Sequence, residues 1–237
     1  MRSRSERREA NKFVIDSPHL LAEAAAAQIE ILDVFVEDGV APEIPTEISH
    51  VQLRRVQSGV LSNVGSVVTS QGVAAIASIP APTEVPADYD FVVELAAVGD
   101  PGNAGNIVRS AAAAGAQAIL FGPNSVDPWN PKTLRASAGA LFRVPLAEAG
   151  SAHLQLQGGR RFGADPHRGV RCDEVDLTGP VVLVVGNEAH GLDAQAASGI
   201  QSWLSVPMAP KVESLNVATA TAILCYEVAR QRRAAGR

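Results

Sequence analysis

From residue 91 onward, short apolar runs alternate with stretches that favour helix, and this alternation restricts the chain to few architectures. The runs fall at 91–98, 117–121, 143–146, 180–185 and 203–206, and helices are expected to start near Asn103, Pro131, Leu192 and Leu215. Strands that alternate with helices in this way predict parallel βα units in a mainly parallel sheet. Residues 151–178 resist assignment, because "QGGRRFGADPHRG" mixes turn formers with charge.

Ahead of this region, "PAPTEVPADYD" places three prolines among small and acidic residues. Proline stiffens the backbone and withholds donors from a sheet, so the stretch reads as a linker. It separates a small α/β unit with a basic N-terminal tail, residues 1–80, from a larger unit over 91–237, with 81–90 between them. In the small unit "FVID" predicts a strand, Ser17-Pro18 a capped helix start before "HLLAEAAAAQI", and "IEILDVFVE" a second strand. "HVQLRRVQS" reads as helical, and "VGSVVTSQGVAAIASI" as two strands around Gln71-Gly72. A chain of 237 residues is long enough for two such units, each with its own core.

Hydrophobic residues make up 46% and charged residues 19%, the balance of a folded soluble protein, and no apolar run is long enough to span a bilayer. "MRSRSERREANK" lacks the apolar core of a signal peptide, so the expected location is the cytoplasm. Cys172 and Cys225 stand far apart, and neither they nor the histidines have metal-ligand spacing, so no metal is expected. A net charge of −5 excludes a uniformly basic nucleic-acid coat. Arg2, Arg4, Arg7 and Arg8 at one end, and Arg230, Arg232, Arg233 and Arg237 at the other, read either as phosphate contacts or as solvated tails.

Ligands of open α/β sheets bind where loops leave the carboxyl ends of strands, and three loops here have suitable residues. "VGDPGNAGNIVRSAAAAG" sets Asn103 near a helix start and Arg109 almost two turns along it. "VVLVVGNEAHGLDAQ" ends an apolar strand at Gly186, followed at once by Asn187 and Glu188. "VPMAPKVESLNVATATAILCYEVARQR" flanks Leu215 with Ser214 and Asn216 at the start of an alanine-rich helix. Taken singly, each is also consistent with a helix cap or a plain turn, and "GDPGNAGN" does not complete a dinucleotide-binding fingerprint.

Together, and in this order, the three loops closely resemble the motifs of the SpoU/TrmH family of RNA 2′-O-ribose methyltransferases, within the SPOUT superfamily. The resemblance runs from about residue 90 to 233 and takes in "NSVDPWNPKTLRASAGALFRVPL". More loosely, "FVIDSPHLLAEA" and "SQGVAAIA" resemble the ribosomal-protein-like RNA-binding domain of rRNA-directed members. Ala189 and Pro210 stand where the family commonly has glycine and a small flexible residue.

The resemblance implies a deep trefoil knot, rare among proteins, with the third loop part of both the knot and the cofactor pocket. It implies a homodimer, with small residues at 110–114 and 217–222 permitting close helix packing. The implied reaction moves the methyl group of S-adenosylmethionine to a ribose 2′-hydroxyl of structured RNA, rRNA before tRNA. Matched by motif, Arg109, Asn103, Glu188, Ser214 and Asn216 form the catalytic set, and Gly186, Val206 and Leu215 contact the cofactor. Lys132, Arg135 and Arg143 are the expected RNA contacts. A guanidinium with a pKa above roughly 12 is a poor base, so Arg109 is better suited to hold the target phosphate and stabilise the forming alkoxide. A noncatalytic RNA-binding or ribosome-assembly factor on the same fold is the competing expectation.

Overall fold

A computed structural model describes residues 3–64, 70–83, 85, 88–149, 159–187 and 191–237. The N-terminal part is built on a four-stranded sheet in the order β1-β4-β2-β3, with β1 at Lys12–Ile15, β2 at Ile31–Glu37, β3 at Leu53–Val56 and β4 at Val73–Ser78. β4 runs antiparallel to both β1 and β2, and β2 is parallel to β3. Along β4, Val73, Ala75 and Ala77 are buried while the residues between them are half-exposed, which is the alternation of a sheet with one covered face. Helix α1 spans Arg4–Ala10 and α2 spans Pro18–Ala26. Ser17 caps α2 by accepting from the Leu20 amide at 3.2 Å, with Pro18 at the first helical position, as the sequence predicts.

Two expectations for this part fail. "HVQLRRVQS" is not a helix: its middle is the edge strand β3, fixed by pairing with β2 and by Arg54, whose Nε donates to Asp33 Oδ1 at 2.7 Å. A short helix, α3 at Val60–Val64, comes before the stretch around Gln71-Gly72; of the two strands expected there, the second is β4 and the first falls on 65–69, outside the described residues. The basic start of the chain is not a solvated tail. Ser3 and Glu6 close a capping box on α1, Arg7 is 2% exposed against Asp127, and Arg8 pairs with Glu148 at 2.7 Å. The C-terminal arginines are also engaged: Arg230 pairs with Glu227 at 2.7 Å, and Arg232 Nη2 donates to the Gly179 carbonyl at 2.9 Å.

The second sheet has seven strands in the order β7-β6-β5-β10-β8-β11-β9, and all its pairings are parallel. β5 is Phe91–Leu95, β6 Ala118–Phe121, β7 Leu146–Glu148, β8 Arg160–Ala164, β9 Val170–Arg171, β10 Val181–Val185 and β11 Ser202–Ser205. Every residue of β5, β6 and β10 is buried, as expected for strands covered on both faces. Helices α4 (Pro101–Ala113), α5 (Pro131–Ser137) and α7 (Val217–Ala234) put Ile107, Leu134 and Leu224 into the same cluster as Phe91, Leu95 and Leu183. The opposite face gathers Val92, Leu120, Val182 and Val184, with Ala196 of the short α6 (Ala194–Ala197) against them.

β7 begins at Leu146 rather than 143, because a 3₁₀ turn at Ala140–Phe142 and then Arg143 occupy the preceding residues. β8 comes from the stretch that resisted assignment. Its Arg161 is buried and paired with Glu94 of β5 at 2.8 Å, so its charge is matched inside the sheet rather than in water. The described parts of the proline-rich stretch are anchored at points: Val85 and Tyr89 are buried and the Thr83 amide donates to the Leu146 carbonyl at 3.3 Å, while residues 80–83 and Asp88 are exposed. Burial against the sheet pushes the Tyr89 hydroxyl above its ordinary pKa.

Candidate active site

The first two motif loops meet at the carboxyl ends of β5 and β10, which are neighbours. The chain leaves β5 through Ala96, whose amide donates to Val185 of β10 at 2.8 Å, and then Ala97, whose φ is +64. An alanine in the left-handed region is strained by about 1 kcal/mol and needs its surroundings to hold it. Asp100 ends the turn and caps α4, accepting from the Asn103 amide at 2.7 Å, with Pro101 at the first helical position. Asn103 is therefore inside the first turn, not itself the cap.

Gly186 leaves β10 with no room for a side chain, since a Cβ there would lie 2.4 Å from the backbone of Gly191. Asn187 and Gly191 exchange backbone hydrogen bonds of 2.8 and 2.9 Å. Glu188 and Ala189 lie outside the described residues. The Asn187 side chain donates to the Ala97 carbonyl at 3.2 Å and so ties the second loop to the first.

The third loop arrives from β11. Val206 is half-buried against the core, Leu215 is half-buried, and Ser214 is exposed with no hydrogen bond among the described residues. Asn216 caps α7, its Oδ1 accepting from the amides of Ala218 at 2.9 Å and Thr219 at 3.2 Å. Its Nδ2 donates to Asn103 Oδ1 at 3.0 Å. One side chain thus starts the last helix and fastens it to the first motif. α4 and α7 pack together behind this bond.

Arg109 shares α4 with Asn103 but lies about 9 Å further along the axis. It is exposed, and its guanidinium makes no hydrogen bond or ion pair among the described residues. Between the two, Gly105 lets α4 lie against α5, where a Cβ would sit 2.5 Å from both Ala136 Cβ and the Thr133 carbonyl oxygen.

The expected RNA contacts are placed differently. Lys132 is exposed in the first turn of α5, its amide bonded to the cap residue Asn130 at 2.9 Å. Arg135 pairs with Asp16 and Arg143 with Glu23, both residues of the N-terminal part. Neither pairing has a sequence signal, because each joins residues about 120 positions apart. Ala97 has no signal either, since a positive φ at alanine leaves no mark in the sequence, and Asn187, although noted after Gly186, carries no sign of its bond to Ala97. A separate cleft of 840 Å³ opens between the two sheets, lined by Arg4, Asn11, Ile29, Trp129 and Leu146 and by none of the motif residues.

Both parts of this chain have counterparts among RNA-modifying enzymes. Residues 90–226 match the SpoU rRNA Methylase family and residues 1–75 the MRM3-like substrate binding domain. The chain belongs to the SpoU rRNA methylase family. It is 32% identical to the Bacillus subtilis 23S rRNA (guanosine(2553)-2′-O)-methyltransferase RlmP, over 96% of this chain and 92% of that one. It is 32% identical to the 23S rRNA (guanosine-2′-O-)-methyltransferase RlmB of Xanthomonas axonopodis pv. citri, over 88% of this chain and 94% of that protein. Among solved structures it resembles the SpoU methyltransferase AviRb from Streptomyces viridochromogenes in complex with AdoMet, with a TM-score of 0.85 at 26% identity over 98% of this chain and 94% of that one.

Proposed function

We propose that the protein methylates a ribose 2′-hydroxyl of ribosomal RNA with S-adenosylmethionine, acting as a cytoplasmic homodimer. The observation that carries this reading is the Asn216–Asn103 hydrogen bond of 3.0 Å, which draws the first and third motifs together in a chain whose N-terminal part matches a substrate binding domain. On this reading residues 1–80 hold the RNA, 81–90 connect, and 91–237 form the methyltransferase domain, with the C-terminal segment threaded as a trefoil knot.

The site suits the cofactor. β10 and β11 run parallel with only β8 between them, so Gly186 and Val206 both follow the carboxyl ends of strands at the same edge of the sheet. Gly186 brings backbone without side chain, and Val206 and Leu215 bring half-buried aliphatic carbon, a combination suited to an adenosine moiety. S-adenosylmethionine supplies an activated methyl group, so no metal is required of the protein. Gly186, Val206 and Leu215 hold the cofactor through backbone and apolar contact. Asn103 and Asn216 fix the relative position of the loops. Arg109, exposed and without a partner among the described residues, binds the phosphate beside the target ribose and stabilises the alkoxide as its proton passes to a nearby acceptor or solvent. Ser214, exposed at the third loop, and Glu188, by its match to the second motif, are the remaining polar members of the catalytic set.

Dimer formation through α4 and α7 is supported by the exposure of Ile223 and Tyr226, at 38% and 59%, on a helix that also carries Ala220 and Ala222. The test is transfer of labelled methyl from S-adenosylmethionine to unmodified rRNA and tRNA, with Arg109→Ala as control. Label in rRNA that blocks cleavage beside one ribose, and is absent with Arg109→Ala, is the expected result. Label confined to tRNA, or retained at the wild-type rate in Arg109→Ala, overturns it.

A further inference from the structure

The turn that launches α4 is held from three directions. From the sheet, the Ala96 amide bonds to Val185, and from the second motif Asn187 bonds to the Ala97 carbonyl. The third hold comes from the loop after β6. Ser125, 3% exposed, accepts from the Val98 amide at 3.2 Å and donates its own hydroxyl to the Leu95 carbonyl at 2.6 Å. The next amide, of Val126, donates to the Val98 carbonyl at 2.9 Å. Ala97, with its φ of +64, lies between these anchors. A strained residue of this kind persists only while its neighbours over-determine it.

The same loop is gripped from the other side by the substrate binding part. Arg4 Nη1 of α1 donates to the Ser125 carbonyl at 3.2 Å. Arg7 Nε donates to Asp127 Oδ2 at 2.6 Å, with the two side chains only 3% and 8% exposed. The other carboxylate oxygen of Asp127 accepts from the Trp129 amide at 3.1 Å, and the Trp129 ring packs at 4.7 Å from that of Phe13 in β1. A buried pair of this kind is held tightly, because removing one member leaves the other charge stranded away from water. Residues 125–129 therefore connect α1 and β1 on one side to the turn at 96–98 on the other.

We propose that Arg7, Asp127 and Ser125 are positioning residues for methyl transfer: the seating of α1 on the 125–127 loop sets the 96–98 turn, and through it the start of α4 with Asn103. The inference rests on the rRNA methyltransferase reading. None of the three touches the reacting atoms. They act through Val98 and Ala97, and the RNA-holding part of the chain thereby shapes the first motif before any contact with the target nucleotide.

The experiment compares wild type, Ser125→Ala, Arg7→Ala and the double variant in two ways. The first is amide exchange of residues 98–104, set against that of Leu183 in β10, which needs no activity. Faster exchange at 98–104 in both single variants, with Leu183 unchanged, is expected, and unchanged exchange at 98–104 overturns the coupling. The second is steady-state transfer to rRNA. Each single variant is expected to lose about tenfold in kcat with KM for cofactor within about twofold, and the double variant to be no slower than the worse single one. Unaltered kcat despite a loosened turn, or kcat losses that multiply in the double variant, overturns the positioning role. An inactive wild type refutes the functional reading instead, and the exchange measurement still decides the coupling. Should Arg7→Ala fail to fold, Arg7→Lys takes its place in both measurements, since the seating of α1 is tested only by a change at its contact with Asp127.

Discussion

Replacing Gly105 by alanine tests whether the α4–α5 contact positions the site. The new Cβ would lie 2.5 Å from Ala136 Cβ, 2.5 Å from the Thr133 oxygen and 2.9 Å from the Ser137 nitrogen. Carbon contacts settle at about 3.5–4.0 Å, so the helices must part by about 1 Å. Two of the three atoms belong to the backbone of α5, and no side-chain rotation relieves them. Retreat is opposed on the other side, where α4 packs on α7 and buries Ile107 and Val108 in the core. Overpacking of this kind costs about 1–3 kcal/mol, against which alanine returns about 1 kcal/mol of helix propensity. The net loss is about 0–2 kcal/mol, a fall in Tm of up to about 8 °C for a chain of this size. Asn103 and Arg109 flank Gly105 on the same helix, and a shift of about 1 Å can reduce transfer by about a hundredfold. Thermal unfolding and labelled methyl transfer measure the two effects, with Gly179→Ala as control because its Cβ would meet nothing within 4 Å. A Gly105→Ala protein with wild-type Tm and rate would refute the reasoning.

Asn216 separates capping from contact. Asn216→Ala loses the acceptor for two amides and is expected to cost about 1 kcal/mol as well as activity, whereas Asn216→Asp keeps the cap but turns a carboxylate toward Asn103 Oδ1. The aspartate variant should melt near wild type yet transfer slowly; a wild-type rate in Asn216→Asp contradicts this. Burial pushes the Cys225 thiol up to about 12, so alkylation at pH 8 should label it only after denaturation, as peptide mapping would reveal. Arg230 above all, with Gln231, holds the Glu227 carboxyl below its ordinary value of 4.5. A lowered folded-state pKa gives stability that is present above the unfolded value and lost as pH falls through the folded one. Glu227→Gln should therefore flatten the fall in Tm below about pH 4.5, and an unchanged acid limb would refute the assignment.

What could be read from the sequence divides by range of interaction. The parallel architecture was legible because β5, β6 and β10 are apolar throughout, and Ser17-Pro18 announced α2 through chemistry confined to neighbouring residues. The motif loops were legible as a set, since their residue types and order resemble a family even though each loop alone is ordinary. Long-range pairing defeated the rest. β8 looks too charged for an interior strand until Glu94 is found beside Arg161, and Arg54 belongs to a strand only because β2 runs alongside it. The arginines of α1 carry no local sign of their carboxylate partners more than a hundred residues away. In the site, capping passed to Asp100 and Asn216 rather than to Asn103 and Ser214, a choice made by how the strands enter the helices.

One continuous apolar cluster runs from Leu21 of α2 and Val34 of the first sheet to Phe91 and Leu183 of the second. Phe13 contributes to that continuity, with its ring 4.7 Å from Trp129 and 6.1 Å from Phe142. The two matched families thus share an interior here, and the chain is not a pair of exchangeable modules. Cutting near residue 80 would leave both pieces with an open apolar face, and a substrate binding domain grafted from a relative would have to supply an aromatic side chain of the same shape at position 13. Specificity for a different RNA therefore has to evolve on the outward surfaces of this N-terminal part, because its inward surface is already committed to the stability of the enzyme.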